Sequence, residues 1–525
     1  MEDYRTTCKL LQSNWFMATI DLKESYLLIP INIESRKYLR FQYIAPNSTE
    51  VITYQFNAMP YGLSLAPRYF TKIIREVVAY LRNQGFKSVS YLDDLCCLGG
   101  TYDECLRNVR ETITLFECLG FVINYEKSQL QPQKICKFLG FIYDSTQMTL
   151  SLPVDKQNNI ARMVQKFSTL PTVSIREYSQ LIGTLIAACP AVRYGWLYTK
   201  ILERQKYIFL KQHGSFEAKV ELPTIILDDL HWWNKNIHKL SSPIKNPSYA
   251  MEIYTDASRT GWGAYCNGSR VNGAWKESEL QFHINYLELL SIFLALKCFA
   301  RDCSNCAILL RVDNTTAISY INRMGGIQFP HLNSLSRDVW QWCESRQLWL
   351  FASYINTKDN VEADEESRRI NPDAEWELSG TAFNYIVKKL GVPQIDLFAS
   401  RTNAKCHEYV SWKQDPDAVS VDAFTICWNE KFFYAFPPFS LLLNCIQKII
   451  QDKATGILVF PMWPAQAWYP QLKDLLVTDI VILQPRPNLV LSHFRQQHPL
   501  HRTLTLGAAV LSGARFPAAA YHPAP

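Results

Sequence analysis

No uninterrupted apolar run in this 525-residue chain approaches the roughly 18 residues that a membrane-spanning helix needs, so no membrane partner is expected. The opening MEDYRTTCKLLQSNW lacks the charged-then-apolar layout of a secretory signal, which argues against export. There is no repeat period and no long low-complexity stretch. Among fifteen cysteines only Cys303 and Cys306 form a C-x-x-C, and no second pair stands at zinc-ribbon spacing. An odd, scattered set without a signal segment points to reduced thiols in an intracellular protein, cytoplasmic or nuclear, with most of them serving as core atoms. Neither sign of charge dominates. Lys and Arg number 54 against 48 Asp and Glu, a net +6 that permits a polyanionic partner without demanding one.

What is present is a globular composition, 48% hydrophobic and 19% charged. At about 150 residues per domain the length predicts three or four domains. Residues 1–145 mix short β-rich runs (FMATIDL, YLRFQYI, SVSYLDDLCCL) with helical stretches such as PRYFTKIIREVVAYLRN. Residues 150–240 read mostly helical. The loop-like SSPIKNPS then marks a boundary. Strand candidates EIYTDAS, GWGAYC and VNGAWKE precede the helix INYLELLSIFLALKCFA, the strand AILLRVDN, more helix and the strand LWLFASYI, which predicts an α+β domain over 248–370. Polar RRINPDAEWE reads as a linker, 380–495 alternate short strands and helices, and 496–525 show no convincing amphipathic pattern and read as a frayed tail. The fold class is α+β, multidomain.

Two aspartates interrupt the apolar alternation of SVSYLDDLCCL, and folding it at Asp93-Asp94 would place carboxylates at a hairpin tip. The strand MATID ends on Asp21. If the two strands are neighbours, Asp21, Asp93 and Asp94 converge, and such a set repels itself unless hard divalent cations, Mg²⁺ or Mn²⁺, neutralise it. Two such ions serve phosphoryl transfer. Taken alone, Asp93-Asp94 also reads as an ordinary polar turn. The context is richer. Asp21-Leu22-Lys23-Glu24-Ser25-Tyr26, then Met59-Pro60-Tyr61-Gly62-Leu63-Ser64 with Ala66-Pro67, then Leu119-Gly120-Phe121 with Asn124, Lys127 and Ser128, then Phe138-Leu139-Gly140 follow in order. Over about 15–145 these blocks resemble the palm motifs of retroelement reverse transcriptases.

That resemblance implies Asp21 and Asp93 as metal ligands with Asp94 in support. It implies Tyr26 as the ring that crowds a ribose 2′-hydroxyl, Tyr61 and Gly62 lining the incoming nucleotide, Lys127 near its triphosphate and Phe138-Leu139-Gly140 as a primer-grip strand. Residues 1–145 would be the palm and 146–240 the thumb, whose Lys200, Arg204, Lys206 and Lys211 would follow a duplex backbone or form a solvated helix face. Family members carry a fingers region before the first palm aspartate. Only 20 residues precede Asp21 here, so the expectation is an N-terminally truncated copy.

A second set of acids lies at strand and helix ends: Asp256 in Ile253-Tyr254-Thr255-Asp256-Ala257-Ser258, Glu288 early in its helix, Asp313 closing Leu309-Leu310-Arg311-Val312, and Asp364 in Asn360-Val361-Glu362-Ala363-Asp364. Singly, each reads as a cap or surface charge. Together, over 248–370, they resemble the D-E-D-D set of ribonuclease H, which implies two more Mg²⁺ ions acting on an RNA–DNA hybrid. The loop Ser353-Tyr354-Ile355-Asn356 offers no histidine of the kind common in retroelement enzymes, and Glu366 stands where an apolar residue is usual.

Beyond 380, Asp396-Leu397-Phe398-Ala399-Ser400, Asp422-Ala423-Phe424 and Phe436-Pro437-Pro438-Phe439 resemble the DNA adenine methylase-like module of DIRS-type (tyrosine-recombinase) retrotransposons. The module is degenerate, because Phe436 replaces the Asn or Asp whose carbonyl would take a hydrogen bond from the target amine. No D-[ST]-G protease motif, zinc knuckle or integrase zinc site is found. The resemblances together imply an RNA-directed DNA polymerase with ribonuclease H activity. Its partners would be RNA template, DNA primer, RNA–DNA hybrid, deoxynucleoside triphosphates and other element proteins such as capsid and recombinase. The alternative is a catalytically degraded relic that only binds nucleic acid.

Overall fold

The computed structural model describes residues 2–46, 49–244, 248–369, 376–492 and 497–515. The chain forms two compact units, Met1–Pro247 and Ser248–Pro525. Among the described residues no helix is long and apolar enough to cross a membrane. All fifteen cysteines are free, and eight are buried.

In the first unit, strand Phe16–Lys23 runs through a five-stranded sheet. It lies between Asp94–Gly99 and Val122–Ile123, with Lys87–Tyr91 outside Asp94–Gly99 and Gln129–Gln133 also pairing with it. Its period of two puts Ala18, Ile20 and Leu22 into a core with Phe70, Ile74 and Val78 of helix Ala66–Asn83 and Val109 and Phe116 of helix Tyr102–Cys118. The second helix starts on a complete capping box, Thr101 with Glu104. Residues 154–236 hold four α-helices, in line with the mostly helical reading of this stretch.

The second unit contains a five-stranded sheet in the order Ser269–Ala274, Gly261–Cys266, Tyr249–Ala257, Ala307–Val312, Trp349–Tyr354. The first three are antiparallel and the last two join in parallel. Helix Ile284–Phe299 buries Leu287, Leu289, Ile292 and Leu296, and helix Val361–Arg368 lies against strand Gly261–Cys266. That contact needs glycine. A Cβ on Gly263 would stand 2.3 Å from the Ser367 nitrogen and 2.4 Å from the Ala363 oxygen.

The unit also contains a seven-stranded sheet in the order Ser420–Val421, Glu408–Ser411, Ile395–Asp396, Phe433–Ala435, Thr455–Pro461, Leu506–Ser512, Val481–Leu483. The first five pair in parallel, and Leu506–Ser512 is antiparallel to both neighbours. Ile457 and Val459 face a core with Ile386 of helix Gly380–Leu390, while Leu458 and Phe460 face one with Leu442, Ile446 and Ile449 of helix Leu442–Asp452.

Strand Leu506–Ser512 overturns the expected frayed tail from residue 496, and with it the end of the last domain at 495. All seven of its residues are buried. A strand covered on both faces shows an unbroken apolar run rather than alternation, so the amphipathic pattern sought in the sequence is absent for a physical reason. The sheet-forming region also opens earlier than 380, with strand Trp376–Leu378. Residues 370–375 of the expected linker, and 516–525 of the expected tail, lie outside the described residues.

Candidate active sites

The first acidic set is built by ladder register. Asp21 is the Cα partner of Asp94 across the antiparallel pair, and Tyr91 is the partner of Asp94 on its other side. The hairpin tip is therefore only Leu92-Asp93, and the Asp93 carbonyl accepts from the Leu22 amide at 3.0 Å. A two-residue tip wants a positive φ at its first position, usually supplied by glycine. Leu92 takes φ 54° instead, a local strain stored beside the carboxylates. From the opposite side, the Asp21 amide donates to Ser128 Oγ at 3.0 Å, and the Asn124 amide donates to the Asp21 carbonyl at 2.8 Å. The Asn124–Ser128 loop thus fixes the height of Asp21.

Burial pushes the Asp94 carboxyl up to about 6, helped by the charges of Asp93 and Asp21 and by its hydrogen bond to Asp21, while Lys127 opposes the shift. Exposed Lys127 is therefore electrostatically coupled to the acids. The Tyr26 ring packs edge-on to Phe70 at 4.9 Å and to Tyr61 at 5.3 Å. Burial raises the Tyr26 phenol, and the Asp93 charge adds to it; the same two causes, in the same order, raise Tyr61. Gly62 sits at φ 87° with open space where a Cβ would be. Tyr26, Tyr61 and Lys127 thus gather with Asp21, Asp93 and Asp94 at one end of the sheet. Leu139 and Gly140 make a turn with both φ positive between strands Ile135–Phe138 and Phe141–Asp144. Among the thumb cations named from sequence, Lys200 is engaged. Its ammonium lies 3.0 Å from Glu203 and its side chain is largely covered, so it is not a free phosphate contact.

The second set is more tightly drawn. Oxygens of Asp256, Glu288 and Asp313 lie within 4.8 Å of one another, and among the described residues no other trio of acids, histidines or cysteines does so. Burial drives Glu288 up to about 9, with Asp256 and Asp313 adding repulsion. Asp256 is raised chiefly by burial, against a hydrogen bond from Ser367 Oγ at 2.6 Å. Thr357 Oγ1 donates to Asp313 at 2.8 Å. Glu288 Oε2 is buried and has no hydrogen-bond partner. Three hard oxygen donors with an orphaned carboxylate oxygen among them fit a divalent cation.

Asp364 does not join this trio. Its Oδ1 accepts from Arg368 Nη2 at 2.6 Å and Nε at 3.1 Å, one helical turn on. Glu366, the oddity in the sequence, is buried and satisfied: Asn272 Nδ2 donates to it at 2.6 Å and Arg369 Nη1 at 3.1 Å. Sequence reasoning passed over Thr357 and Asn272, which carry no local signature because their partners lie 44 and 94 residues away. Ser367 and Arg368 follow Asp364 closely, and the partner of Arg368 is that neighbour, whereas nothing local announces Asp256, the partner of Ser367, 111 residues away.

Residues 1–143 match the reverse transcriptase (RNA-dependent DNA polymerase) family. The chain is 24% identical over 386 residues to the enzymatic polyprotein of cauliflower mosaic virus (strain NY8153), covering 69% of this chain and 51% of that protein. It is 24% identical over 285 residues to that of carnation etched ring virus, covering 51% and 40%. The chain thus spans about half the length of the curated relatives it matches. Among solved structures, the foamy viral protease-reverse transcriptase in complex with RNA/DNA hybrid aligns with a TM-score of 0.41 at 15% identity, over 68% of this chain and 46% of that one.

Proposed function

We propose that this chain is part of a retroelement polyprotein, of DIRS type, that copies RNA into DNA and degrades the RNA of the resulting hybrid. In this reading 1–145 are the palm, 146–240 the thumb and 248–370 the ribonuclease H domain, followed by a methylase-like module without methyl transfer. The observation that carries the reading is the pair of acidic constellations on separate sheets, one within the reverse transcriptase match and one beyond it. Asp21 and Asp93 would hold cations in the first, and Asp256, Glu288 and Asp313 in the second, with Asp364 recruited from Arg368. Two Mg²⁺ ions per site would make an attacking oxygen more acidic and stabilise the leaving one. The protein's own part is positional. Ser128 and Asn124 hold Asp21, Ser367 and Thr357 aim Asp256 and Asp313, Tyr26 would exclude a 2′-hydroxyl, and Tyr61 and Gly62 would line the nucleotide pocket with Lys127 near the triphosphate.

One observation favours a second reading, a relic that only binds nucleic acid: Asp21, Asp93 and Asp94 are not among the trios gathered within 4.8 Å. Primer extension on an RNA template with Mg²⁺ and deoxynucleotides separates the two. Extension that disappears in Asp93→Ala supports the polymerase; a folded protein that binds primer–template without extending it supports the relic.

A further inference from the structure

We propose that the seven-stranded sheet serves the acidic trio as a clamp: Arg401 and the loop 415–418 fix both ends of helix Ile284–Phe299 and thereby the position of Glu288. Arg401 is the positioning residue at its centre. A methylase-like module without methyl transfer has no task of its own, and its contacts to the five-stranded sheet supply one.

The first tie lies before the helix. Arg401 meets Glu279 side-on, with Nη1 2.7 Å from Oε1 and Nη2 2.8 Å from Oε2, and Nη2 also reaches the Ala274 carbonyl at 3.5 Å. Only 7% of the Arg401 side chain and 14% of that of Glu279 are exposed. A two-pronged pair taken out of water adds little net stability but fixes geometry, because a shifted partner would leave a buried charge unpaired. Glu279 Oε2 accepts from the Lys276 amide as well, at 2.8 Å, so the pair closes the turn from Ala274 to Glu279. Two contacts carry that turn to the acids. Trp275, fully buried within it, donates from Nε1 to the Ser258 carbonyl at 2.9 Å, just past Asp256. Phe282, whose amide donates to the Glu279 carbonyl at 3.0 Å, stacks at 4.1 Å on Tyr286, in the first turn of the helix and just before Glu288.

The second tie lies at the other end. Lys297, in the last turn, has its ammonium 2.7 Å from Asp417 Oδ1. Arg301, just beyond the helix, donates to the carbonyls of Ala418 at 2.6 Å and Pro416 at 3.3 Å. Both ties spring from one piece of chain. Asp415 accepts from the Arg401 amide at 3.0 Å and from the hydroxyl of Tyr409, on strand Glu408–Ser411, at 2.5 Å. Between the ties the helix has no free face, since Leu287 to Ile292 are six consecutive buried residues, more than a full turn. Held at both ends by one neighbour, it can neither slide nor rotate. Glu288, whose Oε2 is buried without a partner, therefore keeps its place beside Asp256 and Asp313.

This inference rests on the reading of the trio as a cation site, and its test has a readout apart from catalysis. Calorimetry of the full chain measures the Mn²⁺ uptake that Asp256→Asn abolishes, and hybrid cleavage gives kcat and KM beside it. Arg401→Lys keeps the charge and loses the planar fork. It should weaken that Mn²⁺ binding about tenfold and lower kcat about tenfold at unchanged KM, with primer extension unaltered. Ile446→Val, in the core of the same sheet and outside the clamp, should lower the melting temperature and leave Mn²⁺ affinity unchanged. Should Arg401→Lys not fold, Lys297→Met decides in the same assay, with about threefold weaker Mn²⁺ binding expected of a part-exposed pair. Unchanged Mn²⁺ affinity in the folded variant, or an equal loss in Ile446→Val, overturns the clamp. Mn²⁺ uptake that responds as expected, in a chain whose wild type cleaves no hybrid, upholds the clamp and overturns only the hybrid-degrading reading. A wild type with no uptake overturns both.

Discussion

The two acidic sites are made from the same side chains and differ in how they are enclosed. Asp21, Asp93 and Asp94 are half-buried around a two-residue hairpin tip, beside exposed Lys127, and Asp94 reaches only about 6. Asp256, at the end of its strand, and Glu288, on helix Ile284–Phe299, are buried, and Glu288 reaches about 9. A site open to water and to a lysine tolerates its own repulsion. A trio in which Asp256 and Glu288 are buried does not, and a proton or a cation stabilises it. Difference in burial thus makes one set self-tolerant and leaves the other with a repulsion that a proton or a cation would relieve.

The largest expected effect comes from breaking the enclosure of the second site alone. Gly263→Ala would drive a Cβ into the backbone of helix Val361–Arg368, costing about 1–3 kcal/mol and displacing Ser367 from Asp256. Hybrid cleavage should fall at least about a hundredfold, since misplacement near 1 Å costs that much. Primer extension should be unchanged. Equal losses in both assays would mean that the sites do not depend on separate supports.

An intermediate effect sharpens the electrostatic side of the comparison. Glu288 titrates near 9 in the folded chain against 4.5 in the unfolded one, so the native state holds a proton that the unfolded state has released between those values. The stability this brings is full below about 4.5 and is lost as pH rises through 9. Without divalent cation, thermal unfolding of the second unit should move to lower temperature across that window, and Glu288→Gln or added Mg²⁺ should flatten the slope. Asp94 predicts the same sign for the first unit, confined to between 3.8 and about 6. Melting curves of the wild type and both glutamine or asparagine variants across pH measure the contrast. A slope unchanged in Glu288→Gln would remove Glu288 as its source.

The smallest effect belongs to Arg368. Its pair with Asp364 is largely exposed on the arginine side, so it contributes no more than about 1 kcal/mol. Arg368→Ala should free Asp364 and tighten Mn²⁺ binding at the second site by up to about fivefold, read by calorimetry. Unchanged affinity would show that Asp364 lies outside the cation's reach.

Much of both sites was legible in the residue order. Period-two runs predicted strand Phe16–Lys23 and the hairpin around Asp93-Asp94, and the expected neighbourhood of the two is the Asp21–Asp94 register. The strand and helix sequence of 249–354 was equally readable, because its sheet keeps its edges and its helix keeps a strongly apolar run. Illegible were features whose signal lies far along the chain. Strand Leu506–Ser512 carries no alternation because both its faces are covered. Nothing near Glu366 announces Asn272, and nothing near Arg401 announces Glu279, 122 residues away.

By itself, then, the amino-acid order pointed to the candidate acids, since local periodicity and turn chemistry place acids at strand ends without any long-range information. Tertiary structure alone decided which of those acids meet. It drew Asp256, Glu288 and Asp313 together and left Asp364 with Arg368. It also raised Glu288 and enclosed the Arg401–Glu279 pair that joins two sheets. The reason is physical: proximity, desolvation and enclosure are properties of packing between distant segments, and no local pattern encodes them.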